Sequence, residues 1–503
     1  MKIKVEQLFI IIIFLIGSYY IYLAFRTQML GEDEAVYVAL AKEFSNSNFP
    51  SSSVVSTGPA AYAVFTSLFF SSFFMIFGVS LSLAKALVAF MGLLTILLVY
   101  IIGKKFSIYY GFFAAVLLIS LTGFSHESML AYVEVPIALF SAFLTYLLLE
   151  FKVDQKDAIF KSVLIGSITA LGFFVKASAL VLVFVLSLYF IGLYFYTKNK
   201  NYLKFLLIYL VTFSVLVSGF IFRNLILYQF PYFEGLNIFF KSTYTTPTWL
   251  IDAVKQITPA SISLSTYSSE FGWLALILSI FGASWLLVNW KINLTETKFL
   301  IALFLPVAVF ISIFNIFLIT SISAMDPRYL SIIFPQISLL GGFFLWKLKE
   351  FKKFLIFLIL ILLFAGSVFG ILTAQATSQS QRYPSDYLQA LSWLKLNTPK
   401  DAFIFTAYSG SLLQYAERKN IWTIDEFPEI MHSQNGTYIY NTLKKYNVSY
   451  ILIWSGILAQ DYIIPQSNLL GAFTYNFYNV VSNNTEHFEV KFSNSDNVIF
   501  KLK

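Results

Sequence analysis

"LAKALVAFMGLLTILLVYIIGKKF", from Leu83 to Phe106, is an apolar run that ends in two adjacent lysines. The apolar part, 83–102, is long enough to cross the roughly 30 Å hydrocarbon core of a bilayer as a helix. Lysines directly after such a run are typical of the cytoplasmic side of a membrane. This stretch therefore predicts a transmembrane helix that ends in the cytoplasm.

The composition extends this interpretation to most of the chain. Of 503 residues, 58% are hydrophobic and 12% are charged, against about 25% charged residues in soluble domains. The net charge of +8 comes from lysines in short clusters between apolar runs, so we expect membrane lipid and no nucleic acid as a partner. The chain has no cysteine, which excludes disulfides and thiolate catalysis.

The lysine clusters also predict the topology of a multi-pass cell-membrane protein. Lys2 and Lys4 place the N-terminus in the cytoplasm. Because 83–102 then returns to the cytoplasm, the apolar stretch 59–77 is not a complete crossing, and we expect it at the outer interface. About eleven spans follow, near 8–25, 83–102, 108–124, 130–149, 162–175, 177–196, 205–222, 272–290, 299–320, 329–346 and 354–372.

The composition changes after residue 372. "SDYLQALSWLKLNTP" has helical periodicity, whereas "AFIFTAY" and "VSYILIWS" are typical of strands. An amphipathic helix is expected near 438–446, and the last residues predict two strands around a turn at 494–497. We therefore predict a helical membrane domain, 1–372, with an outer loop at 26–82, and a small extracytoplasmic α/β domain, 373–503.

In this topology the charged residues near the membrane gather at the outer face. They are Glu32, Asp33, Glu34, Glu127, Glu134, Lys176, Arg223, Asp326 and Arg328. Charges at this depth are costly and often mark functional sites. Glu127 and Glu134 are seven residues apart and share a face if both are helical. The alternative is structural, since acids favour helix starts and cations at span ends extend toward water.

Several segments, taken in order, resemble a known family. They are "DEAVY" (33–37), Gly58-Pro59, "AYVEVPIALF" (131–140), "LGFFVKASAL" (171–180) and "DPRYLSIIFPQISLL" (326–340). Together they resemble the GT-C glycosyltransferases that use lipid-phosphate sugars, such as protein O-mannosyltransferases and lipid A aminoarabinose transferases. The chain departs from the family pattern at Glu134, where an Asp is usual, and at Ala177, where a Gly is usual.

The resemblance implies transfer of a sugar from a polyprenyl (dolichyl-type) phosphate to a protein or lipid acceptor at the outer face. Asp33 is the expected general base, Glu34 is its rival, and Glu134 would orient the acceptor or a metal. Lys176 and Arg328 would hold the donor phosphate, on the premise that neither has a carboxylate neighbour on its own helix. Further substrate-binding candidates are Tyr37, Arg223 and Tyr329.

Other interpretations stay open at this point. No cofactor is required, but Mg²⁺ or Mn²⁺ could bind carboxylates of Asp33, Glu127 and Glu134. An oligosaccharyltransferase or glycan ligase with a diphosphate-linked donor would have a similar sequence. A lipid or glycan transporter predicts charges at mid-membrane depth, and a non-catalytic scaffold leaves the outer acids unexplained.

Overall fold

The structure is a computed structural model. It describes residues 5–26, 32–46, 64–176, 179–228, 272–288, 306–307, 327–349, 385–406, 412–421, 426–454, 458–459 and 473–503, with four isolated positions between 359 and 368. The predicted spans near 299–320 and 354–372 lie almost wholly outside these residues.

Helices make up the described part before residue 350. They are α1 Val5–Arg26, α2 Glu32–Ser45, α3 Val64–Phe77, α4 Leu81–Lys104, α5 Ile108–Ser120, α6 Thr122–Glu127, α7 Glu134–Glu150, α8 Ala158–Val175, α9 Leu180–Thr197, α10 Asn201–Tyr228, α11 Trp273–Val288, a 3₁₀ helix Pro327–Ile333 and α12 Phe334–Lys349. Among the described residues, six helices are long and apolar enough to cross a membrane. The protein is a multi-pass membrane protein, as predicted, whereas the number of eleven spans stays a prediction.

Helix α4 lies at the centre of the bundle. It packs against α1, α5 and α7, and it also touches α12. Most of its residues are buried, and so are most of those of α12, whereas less than a third of the residues of α1 and of 201–222 in α10 are buried. In a membrane protein the exposed apolar faces are the ones that meet lipid.

Small residues allow α12 to approach two neighbours closely. A Cβ atom on Gly342 would lie 2.6 Å from the Cα atom of Ala114 in α5, and one on Gly282 in α11 would collide with the carbonyl oxygen of Leu340. Close approach at glycine is a common way for membrane helices to associate, because lipid tails give no hydrophobic drive.

The predicted interfacial stretch 59–77 contains the helix α3. With 14 residues, α3 is about 21 Å long, which is shorter than the hydrocarbon core. It packs against α2 and α8. Its length supports the interfacial placement, which stays a prediction.

Glu127 and Glu134 belong to two different helices. Glu127 ends α6 and Glu134 begins α7, and residues 128–133 between them are not helical. The two carboxylates therefore do not share a helix face. Glu134 is the first residue of α7, and Pro136 occupies the first turn, where proline costs no hydrogen bond.

The C-terminal residues form a small α/β domain, as predicted. Its elements are α13 Ser385–Asn397, β1 Phe403–Phe405, a π-helical turn Leu412–Ala416, β2 Lys419–Ile421, α14 Phe427–His432, α15 Gly436–Lys445, β3 Val448–Trp454, β4 Leu458–Ala459, β5 Phe473–Thr474, α16 Tyr475–Asn483, β6 Phe488–Ser493 and β7 Asn497–Leu502.

Five strands form one sheet in the order β2-β1-β3-β7-β6. The pairs β1–β2 and β1–β3 are parallel, whereas β3–β7 and β6–β7 are antiparallel. In β3, Ile451 and Ile453 face one hydrophobic cluster, and Tyr450 and Leu452 face another. Both faces of the sheet are therefore covered, which explains the nearly continuous apolar run in "VSYILIWS".

Candidate active site at one end of the helical bundle

Glu34 is the best-defined acid of the segment that the sequence predicts as the first outer loop. It is the third residue of α2 and its side chain has no solvent exposure. Its Oε1 accepts a hydrogen bond from the backbone N–H of Ala131 and lies 3.7 Å from Nζ of Lys85 in α4. Glu34 therefore connects three separate segments, which an acid that only caps a helix would not do.

Lys85 is a site residue that the sequence analysis missed. It lies in the second turn of α4 and is also fully buried. The signal was present, because a lysine inside an otherwise apolar helix is costly unless a charge compensates it. Its partner could not be identified from the sequence, since Glu34 lies 51 residues earlier in another helix.

The segment between α6 and α7 carries the other contacts. Ala131 binds Glu34. The next residue, Tyr132, has its ring 4.7 Å below the guanidinium carbon of Arg328, which belongs to the 3₁₀ helix. Two residues later, Glu134 accepts a hydrogen bond of 2.8 Å from Nζ of Lys176. The four residues 131–134 thus touch α2, the 3₁₀ helix and the end of α8.

The ion pair between Glu134 and Lys176 corrects one argument from the sequence. Lys176 has a carboxylate partner on a different helix, α7, so the absence of a carboxylate on its own helix does not leave this lysine unpaired. The side chains are 2% and 11% exposed, respectively. The second oxygen of Glu134, Oε2, is buried without a hydrogen bond from the described residues.

His126 and Glu127 lie at the end of α6, next to the same cluster. Glu127 is buried. Burial lowers the pKa of His126, and the positive charge of Arg328 lowers it further. His126 is therefore neutral at pH 7 and adds no positive charge beside Arg328.

Among the described side chains, the site holds three acids and three bases: Glu34, Glu127, Glu134, Lys85, Lys176 and Arg328. They come from elements that meet at one end of the bundle, since α6, α7 and the 3₁₀ helix contact one another and α8 packs on α7. Through the segment 131–134, the arrangement brings Glu34, Glu134, Lys176 and Arg328 together.

Comparison with known proteins identifies the fold. No family model and no curated protein matches the sequence. Among solved structures, ArnT from Cupriavidus metallidurans bound to undecaprenyl phosphate is 12% identical with a TM-score of 0.67, and the match covers 98% of this chain and 97% of that one. The chain has the GT-C fold.

Two structures of an archaeal oligosaccharyltransferase support the same GT-C fold. The Archaeoglobus fulgidus enzyme in complex with Zn and sulfate is 15% identical with a TM-score of 0.61, over 84% of this chain and 64% of that one. The same enzyme, AglB, with an inhibitory peptide and a dolichol-phosphate has 13% identity and a TM-score of 0.58, over 88% and 69%. This chain therefore spans less than two thirds of the first of these structures.

The described residues do not fit a metal site. They contain no group of three or more His, Asp or Glu side chains that could hold an ion. Glu34 and Glu134 each have a lysine ammonium beside them, which competes with a cation for the same oxygens. The neighbouring oligosaccharyltransferase structure contains Zn, whereas the carboxylates of Glu34 and Glu134 in this chain are paired with lysines.

The remaining predicted residues are described only in part. Tyr37 is buried in α2, and its carbonyl oxygen accepts a hydrogen bond from Ser67 of α3. The side chains of Asp33, Arg223 and Tyr329 lie outside the described residues, although their backbones belong to α2, α10 and the 3₁₀ helix of the GT-C fold. Their roles stay predictions.

Proposed function

We propose that the protein is an integral-membrane glycosyltransferase that moves a sugar from a polyprenyl phosphate to a hydroxyl group of a protein or lipid acceptor at the outer face. The observation that carries this proposal is the convergence of Glu34, Arg328 and Lys176 on residues 131–134. It occurs at one end of a bundle with the GT-C fold. The neighbours bound to undecaprenyl phosphate and to dolichol-phosphate support a polyprenyl carrier.

The contacts of Glu34 favour Asp33 as the general base. The Glu34 carboxylate has no exposed surface and already accepts a hydrogen bond from the protein backbone, so it does not present a free oxygen to an acceptor hydroxyl. Asp33 precedes it in α2, about 100° around a helix of 3.6 residues per turn. In this assignment Glu34 fixes α2 in the bundle, and Asp33 takes the proton.

The reaction is then a single displacement. Asp33 accepts the proton of the acceptor hydroxyl as its oxygen attacks the anomeric carbon. The bond from that carbon to the phosphate oxygen breaks, and its electron pair stays on the polyprenyl phosphate. Direct attack inverts the anomeric centre.

Cations offset the charge that develops on the leaving phosphate. Arg328 presents a planar guanidinium that suits phosphate oxygens. The ammonium group of Lys176 already pairs with Glu134. It therefore stabilises the leaving phosphate only if it contacts Glu134 and the phosphate at the same time. Preorganised charges of this kind often lower the barrier of an enzymatic reaction more than any other single effect.

The test uses purified protein and synthetic prenyl-phosphate sugars, with mannose and aminoarabinose as donors. Asp33→Asn should lower turnover by at least ~10²-fold, on the scale of general base catalysis. Glu43→Gln, at the far end of the same helix α2, is the matched control and should keep normal turnover.

Three results would contradict parts of the proposal. Normal turnover in Asp33→Asn excludes this base. Loss of turnover in a folded Glu34→Gln variant, with Asp33→Asn active, makes Glu34 the base. Turnover with a prenyl-diphosphate oligosaccharide only would establish the oligosaccharyltransferase alternative.

A further inference from the structure

Glu417 of the outer domain lies between two lysines from different parts of the molecule. Its Oε1 accepts a hydrogen bond of 2.5 Å from Nζ of Lys42 in α2 and one of 3.0 Å from Nζ of Lys395 in α13. The first contact joins the outer domain to the acidic helix of the candidate site. The second stays inside the outer domain.

The backbone around Glu417 is held in place. Glu417 has a φ of 54°, in the left-handed region that a residue with a Cβ rarely adopts. The adjacent Arg418 is 4% exposed, and its guanidinium donates to Thr398 Oγ1 and to the carbonyl oxygens of Ala416, Glu417, Lys395 and Thr398. These bonds keep the carboxylate of Glu417 directed at the lysines.

The residues before Glu417 also contact α2. They form the π-helical turn Leu412–Ala416, which packs against α2, and π-helical turns occur frequently at functional sites. Burial raises the pKa of Tyr415 in this turn, and the negative charge of Glu34 raises it further. The phenol of Tyr415 therefore lies within electrostatic reach of the acidic end of α2.

The contact persists over the whole useful pH range. The hydrogen bond from Lys42 and the neighbouring lysine charges lower the pKa of Glu417 to about 2. Because this value lies below the ordinary carboxyl pKa, the contact is complete above about pH 4.5 and is lost only as pH falls toward 2. A change of assay pH near neutrality therefore does not disturb it.

We propose that Glu417 is a positioning residue that fixes the π-helical turn and Tyr415 over the acidic end of α2, so that the acceptor binds between the outer domain and the membrane domain. This role rests on the proposed function. It predicts an effect on acceptor binding and none on donor binding, because the donor phosphate is assigned to Arg328 and Lys176 on other elements.

The kinetic test compares variants of Glu417 with variants of Lys42 and Lys395, the two lysines that its carboxylate binds. Glu417→Gln and Lys42→Met should raise the acceptor KM at least fivefold with an unchanged donor KM, and Lys42→Arg should restore most of the loss. Lys395→Met removes the contact inside the outer domain and should leave the acceptor KM within twofold. Glu426→Gln, which breaks a pair with Lys445 elsewhere in that domain, is a second control.

A distance measurement tests the docking without any turnover. Because the chain has no native cysteine, spin labels can be placed at exposed Asn46 and Lys400 in otherwise unchanged protein. The distribution of distances should be narrow in the parent protein and in Lys395→Met, and broad in Glu417→Gln and Lys42→Met.

Failure of this inference and failure of the proposed function give different results. If the parent protein transfers sugar and Glu417→Gln keeps its acceptor KM, the positioning role is wrong, whatever the distances show. If the parent protein transfers no sugar from any donor, the proposed function is wrong. The distance distributions then decide alone whether Glu417 holds the outer domain on α2.

Discussion

Glu34 and Lys85 form an ion pair from which water is excluded, near the start of α4. Each side chain has no solvent exposure, and the charges are 3.7 Å apart. Removal of one partner from a buried pair leaves a charge without compensation and costs about 3–5 kcal/mol, whereas replacement of both partners is often nearly neutral. Loss of either Glu34 or Lys85 alone should therefore destabilise the position of α2 more than replacement of both residues.

A single variant and a double variant of this pair test the argument. Lys85→Met should lower the unfolding temperature in detergent, because the carboxylate of Glu34 loses its ammonium. Lys85→Met combined with Glu34→Gln should recover most of the loss, since an amide can still accept the hydrogen bond from Ala131. Lys104→Met breaks the exposed pair with Glu6 and should change stability by no more than about 1 kcal/mol. Parent-like unfolding of Lys85→Met would show that the pair does not stabilise the fold.

Arg328 lies over the ring of Tyr132, and we expect it to bind the donor phosphate. Arg328→Ala should weaken donor binding and slow transfer by roughly 10²-fold, on the scale of one preorganised electrostatic donor. Arg328→Lys should recover only part, because it keeps the charge and loses the planar fork. Transfer is measured over a series of donor concentrations.

Arg26→Ala is the matched control, since Arg26 lies 5.2 Å from the ring centroid of Tyr22 at the end of α1. It should leave the donor dependence unchanged. The same donor dependence in Arg328→Ala and Lys176→Ala as in the parent protein would contradict the phosphate assignment.

At the scale of single residues, the sequence indicates which charged residues lie near the membrane, but it does not indicate which of them pair. Glu34, Glu134, Lys176 and Arg328 were identified because charges near a membrane are rare. The pairs Glu34–Lys85 and Glu134–Lys176 join residues 51 and 42 positions apart, and no helical or strand spacing relates such residues. Only the packing of the helices brings them together.

The observed helices and strands agree with the sequence predictions where neighbouring residues in the chain determine the ends of the element. The predicted strands of "AFIFTAY" and "VSYILIWS" and the helix near 438–446 are present as β1, β3 and α15. The span predicted at 130–149 begins four residues later, at Glu134, because residues 128–133 leave the helix to contact α2 and the 3₁₀ helix. Hydropathy does not report such contacts, since this segment is as apolar as its surroundings.

Close approach of α11, α12 and α5 depends on glycine. Gly282→Ala and Gly342→Ala should each lower the unfolding temperature, because the new methyl group meets the backbone of the next helix and overpacking costs about 1–3 kcal/mol. Gly192→Ala is the matched control in α9, where a Cβ atom meets nothing within 4 Å. Equal unfolding temperatures for Gly192→Ala and Gly342→Ala would contradict the packing of α12 against α5.

Across the whole molecule, charged contacts occupy two opposite ends of the bundle. One end holds Glu34–Lys85 and Glu134–Lys176. The other holds Lys104–Glu6 and Lys105–Glu150. Helix α4 joins the two, with Lys85 near its start and Lys104 at its end. Its 24 residues span about 36 Å, which exceeds the thickness of the hydrocarbon core.

The two groups of charged pairs at opposite ends of the bundle support a prediction of the membrane topology. Single cysteine substitutions can test it, because the native chain contains no cysteine. The lysine-rich end should face the cytoplasm, and the site and the outer domain should face outward. Cysteines that replace Lys104, Lys152, Lys198 and Lys347 should react with an impermeant maleimide only after the cells are permeabilised.

Cysteines at Asn46 and Lys400 are the matched outer positions and should react in intact cells. Labelling of a cysteine at Lys104 in intact cells would place the end of α4 outside the cell. It would also place Glu6 and Glu150 outside, because both are paired with the lysines at the end of α4. A single reactive position would therefore reverse the orientation of α1, α4 and α7 together, and the candidate site would then open to the cytoplasm.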